Sequence, residues 1–226
     1  MVSQMQVKPN RTQSVEARTQ NPVNQNTSNR AGVRHLRVFP VVTILALFLG
    51  AGLLVDGFWL AGKGKLAQIL LSQAWSRTLE DGQEHKPWPW ADHWPAARLV
   101  SKAHGIDQIV LAGDSGAVLA FAPGMNLQGA QPGEVGTVII SGHRDTHFLF
   151  MQNLKQETEV EIATRERTFR YRVHKTQVVD SRTTKIDPVS SNGQLVLVTC
   201  FPFDTLEAGG PLRYVAFADL IDWYPN

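Results

Sequence analysis

One residue in this sequence has the chemistry of a strong nucleophile: Cys200, the single cysteine among 226 residues. A lone thiol cannot close an intramolecular disulfide, and it rules out two-cysteine redox and metal motifs. It is either a small buried hydrophobe or a group kept for reactivity, because an idle thiol is a liability in an oxidising compartment. Its setting leaves both open. The run QLVLVTC is apolar until Cys200, and Phe201-Pro202-Phe203 then turns the chain. The thiol therefore ends a strand, where a rigid scaffold can open onto a groove. Thiolate chemistry needs a base or a cation nearby to lower the thiol pKa. A second apolar run, TVIISGH, stops at His143, which can move protons, and Arg213 lies thirteen residues past Cys200 at the head of the next run. An arginine there is always charged and can donate to a carbonyl oxygen that is becoming an oxyanion. The plainer assignment is a core cysteine, a solvated turn histidine and a surface cation.

Around this trio, Asp145 follows His143 by two residues and is a candidate to orient it, although the same spacing suits a loop cap. His147 is close in sequence, but no cluster of carboxylates or cysteines accompanies it, so neither a metal site nor a cofactor is expected. Glu157, Glu159 and Glu161 alternate along one run and read as a solvated face.

The elements that must position these groups are strands. ARLVSK, QIVLAG, AVLAFAPG, TVIISGH, TEVEIAT, TFRYRVHKTQVVD, QLVLVTC and RYVAFADLI all have strand length and β-branched or aromatic content. Phe169, Tyr171 and Val173 alternate with Arg170, Arg172 and His174, as in a sheet with one wet face, whereas QLVLVTC is apolar on both faces and suits a central strand. Eight strands within residues 96–226 predict an all-β domain, most economically an eight-stranded barrel with short helices, because closure removes exposed edges.

The chain before the barrel is of three kinds. Residues 1–37 carry five Gln, five Asn and six basic residues against the single acid Glu16, and are expected to be a disordered cytoplasmic tail. Residues 38–60 open with eighteen uncharged positions, VFPVVTILALFLGAGLLV, long enough for a transmembrane anchor. A cleaved signal peptide is the rival; the 37-residue lead-in argues against it. Positive charges before the span hold the N-terminus inside, placing the folded domain in the periplasm of a single-pass inner-membrane protein. Residues 61–95 form an amphipathic helix, with Leu66, Ile69, Leu70, Ala74 and Leu79 near helical spacing, and then a Trp- and Pro-rich linker, KPWPWADHWP. From Lys63 onward there are 16 basic and 18 acidic residues, so the folded part has no electrostatic footprint for nucleic acid.

PGEVGTVIISGHRDTHF, LVLVTCFPF and the LRY that follows resemble, in order, the signature segments of sortases, whose cysteine motif reads Thr-Leu-x-Thr-Cys; here Val196 replaces its first Thr. The resemblance covers about residues 97–221 and, with the basic tail and anchor, is closest to the subgroup of Gram-negative bacteria. It implies a sortase-type barrel and a cysteine transpeptidase that cleaves a C-terminal Leu-Pro-x-Thr-Gly-like sorting signal of a secreted protein through a thioacyl-enzyme, then transfers the fragment to an amine acceptor. Carried over residue by residue, Cys200 is the nucleophile, His143 the proton donor and acceptor, and Arg213 the group that orients the peptide and stabilises the oxyanion. Thr199 supports the strand end and contacts substrate. The segment TTKIDPVSSNG stands where sortases form the floor for the signal, with Ile186, Pro188 and Val189 as its apolar contacts. A hydrolytic cysteine peptidase and an inactive membrane-tethered binding barrel are the alternatives.

Overall fold

The computed structural model describes residues 32–189, 193–205 and 209–226, with side chains from Pro40 to Leu53 and from Gly62 onward. The expected basic tail falls almost wholly outside these residues. The described chain parts at Leu54 and Val55 into two compact units. A single helix, α1 (Gly32–Asp81), contains both the apolar stretch and the amphipathic segment, in place of the two separate elements expected. Gly62 and Gly64 lower helix propensity by only about 1 kcal/mol each and, unlike proline, remove no hydrogen bond. Among the described residues no helix is long and apolar enough to cross a membrane.

In the second unit the strands are β1 (Pro95–Ser101), β2 (Ile106–Ala112), β3 (Gly124–Met125), β4 (Thr137–Ser141), β5 (Glu159–Ala163), β6 (Arg167–Asp180), β7 (Gln194–Cys200) and β8 (Leu212–Pro225). They close into a barrel in the order β1-β2-β3-β4-β7-β8-β6-β5. One expected strand is corrected. AVLAFAPG begins in the short helix α2 (Gly116–Leu119), whose first turn is capped by the Ser115 hydroxyl accepting from the Val118 amide, and only Gly124 at its end joins β3. The run is rich in alanine and lacks the apolar-polar alternation of a half-buried strand, so the cap decides its conformation.

Inside the barrel lie Leu99, Val110, Ile140, Tyr171, Leu195 and Leu197, closed at one end by Phe148 and Met151. On β6, Phe169, Tyr171 and Val173 point inward as their alternation predicts. A register shift at His174 then reverses the phase, so that Gln177 and Val179 pair with Val215 and Arg213 on the outer face. Glu159 and Glu161 of β5 stand outside and pair with Arg172 and Lys102.

The amphipathic part of α1 packs on the domain. Leu71 and Trp75 are buried against Ile109, Leu111, Val118 and Ala122, and Gln68 Nε2 donates to the Phe121 carbonyl. Behind it the Trp-rich segment lays Trp88 against His93 and Phe121, with ring centroids 5.5 and 5.0 Å away, and leaves Trp90 exposed. Helix and strap together cover the outer side of β2.

Candidate active site

The rim of the barrel where β4 and β7 end is built by register. β4 and β7 run parallel, with Ser141 opposite Val198 as their last pair. The pairing continues beyond the strands. The Gly142 amide donates to the Val198 carbonyl at 3.1 Å, and the Thr199 hydroxyl donates to the Gly142 carbonyl at 2.8 Å. Two residues past the last pair, His143 follows the end of β4, the strand next to the one that ends at Cys200. On the other side of β7, antiparallel β8 sets Arg213 directly opposite Cys200. Facing residues of such a pair have Cβ atoms about 4.5–5.5 Å apart and share a face. The expected trio therefore forms a row across three neighbouring strand ends, Cys200 and Arg213 being partly buried and His143 exposed.

Each member of the row is held by its neighbours. Thr199 is buried and spends its hydroxyl on the Gly142 carbonyl, so it ties the strand end but does not face the side that carries Cys200, and its expected contact with substrate is not brought about. Gly142 is followed by a loop closed by the Phe148 amide donating to the His143 carbonyl at 3.0 Å, and the buried Phe148 ring lies flat where a Gly142 side chain would be. A β carbon there would come within 2.6 Å of that ring, so only glycine fits before His143. After Cys200, the Phe201-Pro202 peptide is cis, and Phe203 meets Tyr214 edge-on at 5.3 Å over the end of the core. Arg213 Nη1 donates to the carbonyls of Gly210 and Leu212, which fixes the guanidinium at the head of β8.

Asp145 is placed differently from its expected orienting role. Both its oxygens accept from Arg144, whose guanidinium holds the carboxyl below the usual range, with the charge of His143 a smaller influence in the same direction. Burial lowers the pKa of His147, and His143 adds to the effect.

The segment between β6 and β7 brings two of its three expected contacts to a cavity of about 430 Å³. Ile186 and Val189 line it with Gln194, Val215 and Phe217, while Pro188 anchors the loop by accepting from the Thr137 amide at 3.0 Å. Gln194, Val196, Val198 and Cys200 alternate onto the outer face with Arg213, Val215 and Phe217. The cavity thus opens on the face that carries Cys200 and begins one residue pair below it. Thr137, also in its wall, is buried with its hydroxyl unpaired among the described residues.

Known proteins agree with this architecture. The family model for the sortase domain matches residues 100–221. The chain belongs to the sortase family. It is 32% identical to Sortase D of Bacillus subtilis over 87 residues, 38% of this chain and 43% of that protein. Among solved structures it resembles Sortase A from Corynebacterium diphtheriae at 24% identity and a TM-score of 0.53, covering 61% of this chain and 65% of the other. It also resembles a Clostridium perfringens Sortase D5 transpeptidase at 20% identity and a TM-score of 0.57, covering 70% and 99%. The match thus spans less than half of the curated relative, and the structural likenesses speak for the sortase barrel as the fold.

Arg144 and Thr137 were missed in the sequence. An arginine beside His143 in GHRDTHF looks like a solvated loop cation, and nothing local marks it as buried. Gly142 yields the sharpest test of the rim. Gly142→Ala must displace the Phe148 ring, and we expect it to destabilise the protein by about 1–3 kcal/mol in denaturant unfolding. An unchanged midpoint would contradict the packing described.

Proposed function

We propose that this sortase is a membrane-anchored cysteine transpeptidase of the Gram-negative subgroup. It cleaves a C-terminal Leu-Pro-x-Thr-Gly-like sorting signal and transfers the acyl fragment to an amine. The observation that carries this reading is the row of His143, Cys200 and Arg213 across β4, β7 and β8, beside a cavity on the same face.

In this mechanism the Cys200 thiol gives its proton to His143, and the thiolate attacks the scissile carbonyl carbon. Arg213 donates to the oxygen as charge develops there. His143 returns the proton to the departing amine as the carbon–nitrogen bond breaks, leaving a thioester on Cys200. An incoming amine attacks that thioester, its proton passes through His143, and the thiolate departs to restore the enzyme. Ile186 and Val189, which line the cavity, would meet the apolar residues of the signal, and Thr199 would act from the core side by holding the end of β7 to Gly142.

The proposed anchor is the apolar stretch of residues 38–60, which lies within α1, although the described residues alone are not long and apolar enough to cross a membrane. Val41, Ile44, Leu45, Leu47, Phe48, Leu49 and Leu53 are all exposed, so among the described residues the helix presents a broad face of large apolar side chains that lipid would cover better than water. Six basic residues precede this stretch and one acid. The positive-inside rule then puts the N-terminus in the cytoplasm and the barrel in the periplasm.

Two outcomes follow. Arg213→Lys keeps the charge but loses the planar fork, so turnover of a sorting peptide should fall by about 10² while the melting temperature stays in place; a parallel loss of stability and activity would mark Arg213 as a packing residue. A reporter fused after Asn226 should be active only in the periplasm, and cytoplasmic activity would overturn the topology.

A further inference from the structure

Arg144 is the only Lys, Arg, Asp or Glu among the described residues that is buried, with 6% of its surface exposed. The acyl transfer proposed above gives it no task. Charged side chains are rarely buried without partners, and this one has four hydrogen bonds. Nε donates to Asp145 Oδ1 at 2.7 Å and Nη2 to Asp145 Oδ2 at 3.1 Å. Nη1 donates to the Pro202 carbonyl at 2.6 Å, and Nη2 also donates to the Thr205 carbonyl at 2.9 Å. The first two bonds stay within the loop that follows His143. The other two cross to the loop that follows Cys200.

The chain positions make this crossing consequential. Arg144 is the neighbour of His143, and Pro202 is two residues past Cys200. A bond between them fixes, from behind the rim, the separation of the two strand ends that carry thiol and imidazole. The Thr199 hydroxyl fixes the same separation from the strand side. The guanidinium also lies within electrostatic reach of Cys200 and Asp204. A planar fork with five N–H groups can meet one carboxylate and two carbonyls at once, which a lysine ammonium on a flexible stem cannot.

We propose that Arg144 is a positioning residue of this sortase. Its buried guanidinium clamps the loop after Cys200 to the loop after His143, so that thiol and imidazole keep their working separation. The proposal rests on the transpeptidase reading of the site, and it assigns Asp145 the task of holding Arg144 and not that of orienting His143.

A purely structural arginine would alter stability and leave the kinetics of the folded protein unchanged, so the test reads kinetics. Full-length wild type, Arg144→Lys and Arg144→Gln are compared in detergent micelles by turnover of a sorting peptide with an amine, and by the pH dependence of iodoacetamide alkylation. Cys200 is the sole cysteine, so alkylation reports on it alone. Arg144→Lys should lower kcat about 10-fold or more with KM nearly constant, because misplacing reacting groups by about 1 Å can cost about 10²-fold. Arg144→Gln should lower kcat similarly and also change the alkylation of Cys200, since the loop that follows the thiol is no longer tied to the loop that follows His143. If circular dichroism shows both variants unfolded, Asp145→Asn, which loosens the clamp but keeps the arginine, should lower kcat several-fold. Wild-type kcat and alkylation profile in the folded variants would overturn the proposal. Failure of the wild type to turn over the peptide would count against the transpeptidase reading alone, because the alkylation comparison still judges Arg144.

Discussion

The parallel pairing of β4 with β7 is the constraint on which the site depends. Parallel strands reach their C-terminal ends together, so a histidine at the end of one and a cysteine at the end of the other arrive at the same rim without any loop having to carry them there. Thr199 and Gly142 complete this arrangement: a side-chain hydroxyl takes over the bonding where the ladder stops, and a residue without a side chain lets Phe148 pack underneath. Antiparallel β8 then supplies Arg213 from the opposite direction by register alone. The barrel is an instrument for bringing three strand ends level.

The same register separates packing from chemistry. Leu195, Leu197 and Thr199 of β7 turn inward to the core, and Val196, Val198 and Cys200 turn outward to the face beneath the β6–β7 segment. Outward Val196 and Val215 are nevertheless fully buried, which shows how closely that segment covers the face. The register shift at His174 serves this division, since it turns Gln177 and Val179 outward to complete the cavity wall. On the far side, Leu71 and Trp75 of α1 seal β2. Apolar burial holds the barrel while the reactive rim stays open to solvent.

Much of this was legible in the residues. Strand ends at His143 and Cys200 are visible as apolar runs stopped by polar residues, and period-two alternation gave the inward face of β6 up to Val173. The AVLAFAPG run was misread because its composition suits strand and helix alike, and the decision lay in one hydroxyl, that of Ser115, outside the run. The fusion of the amphipathic segment with the apolar stretch into α1 was hidden because the side-chain pattern changes at the junction while the helical backbone runs on. Arg144 could not be found from the sequence, because its burial depends on carbonyls about sixty residues away. Local sequence encodes faces and ends; it does not encode what a long polar side chain reaches across a loop.

The central claim is that Cys200 forms a covalent bond to the acyl fragment. The most direct measurement is mass spectrometry of the full-length protein mixed with a sorting peptide while the amine acceptor is withheld. The account predicts an adduct on Cys200 with the mass of the N-terminal fragment, released by hydroxylamine as a hydroxamate and absent in Cys200→Ala. Cleavage of the peptide by Cys200→Ala, or cleavage by the wild type with no adduct ever formed, would contradict it.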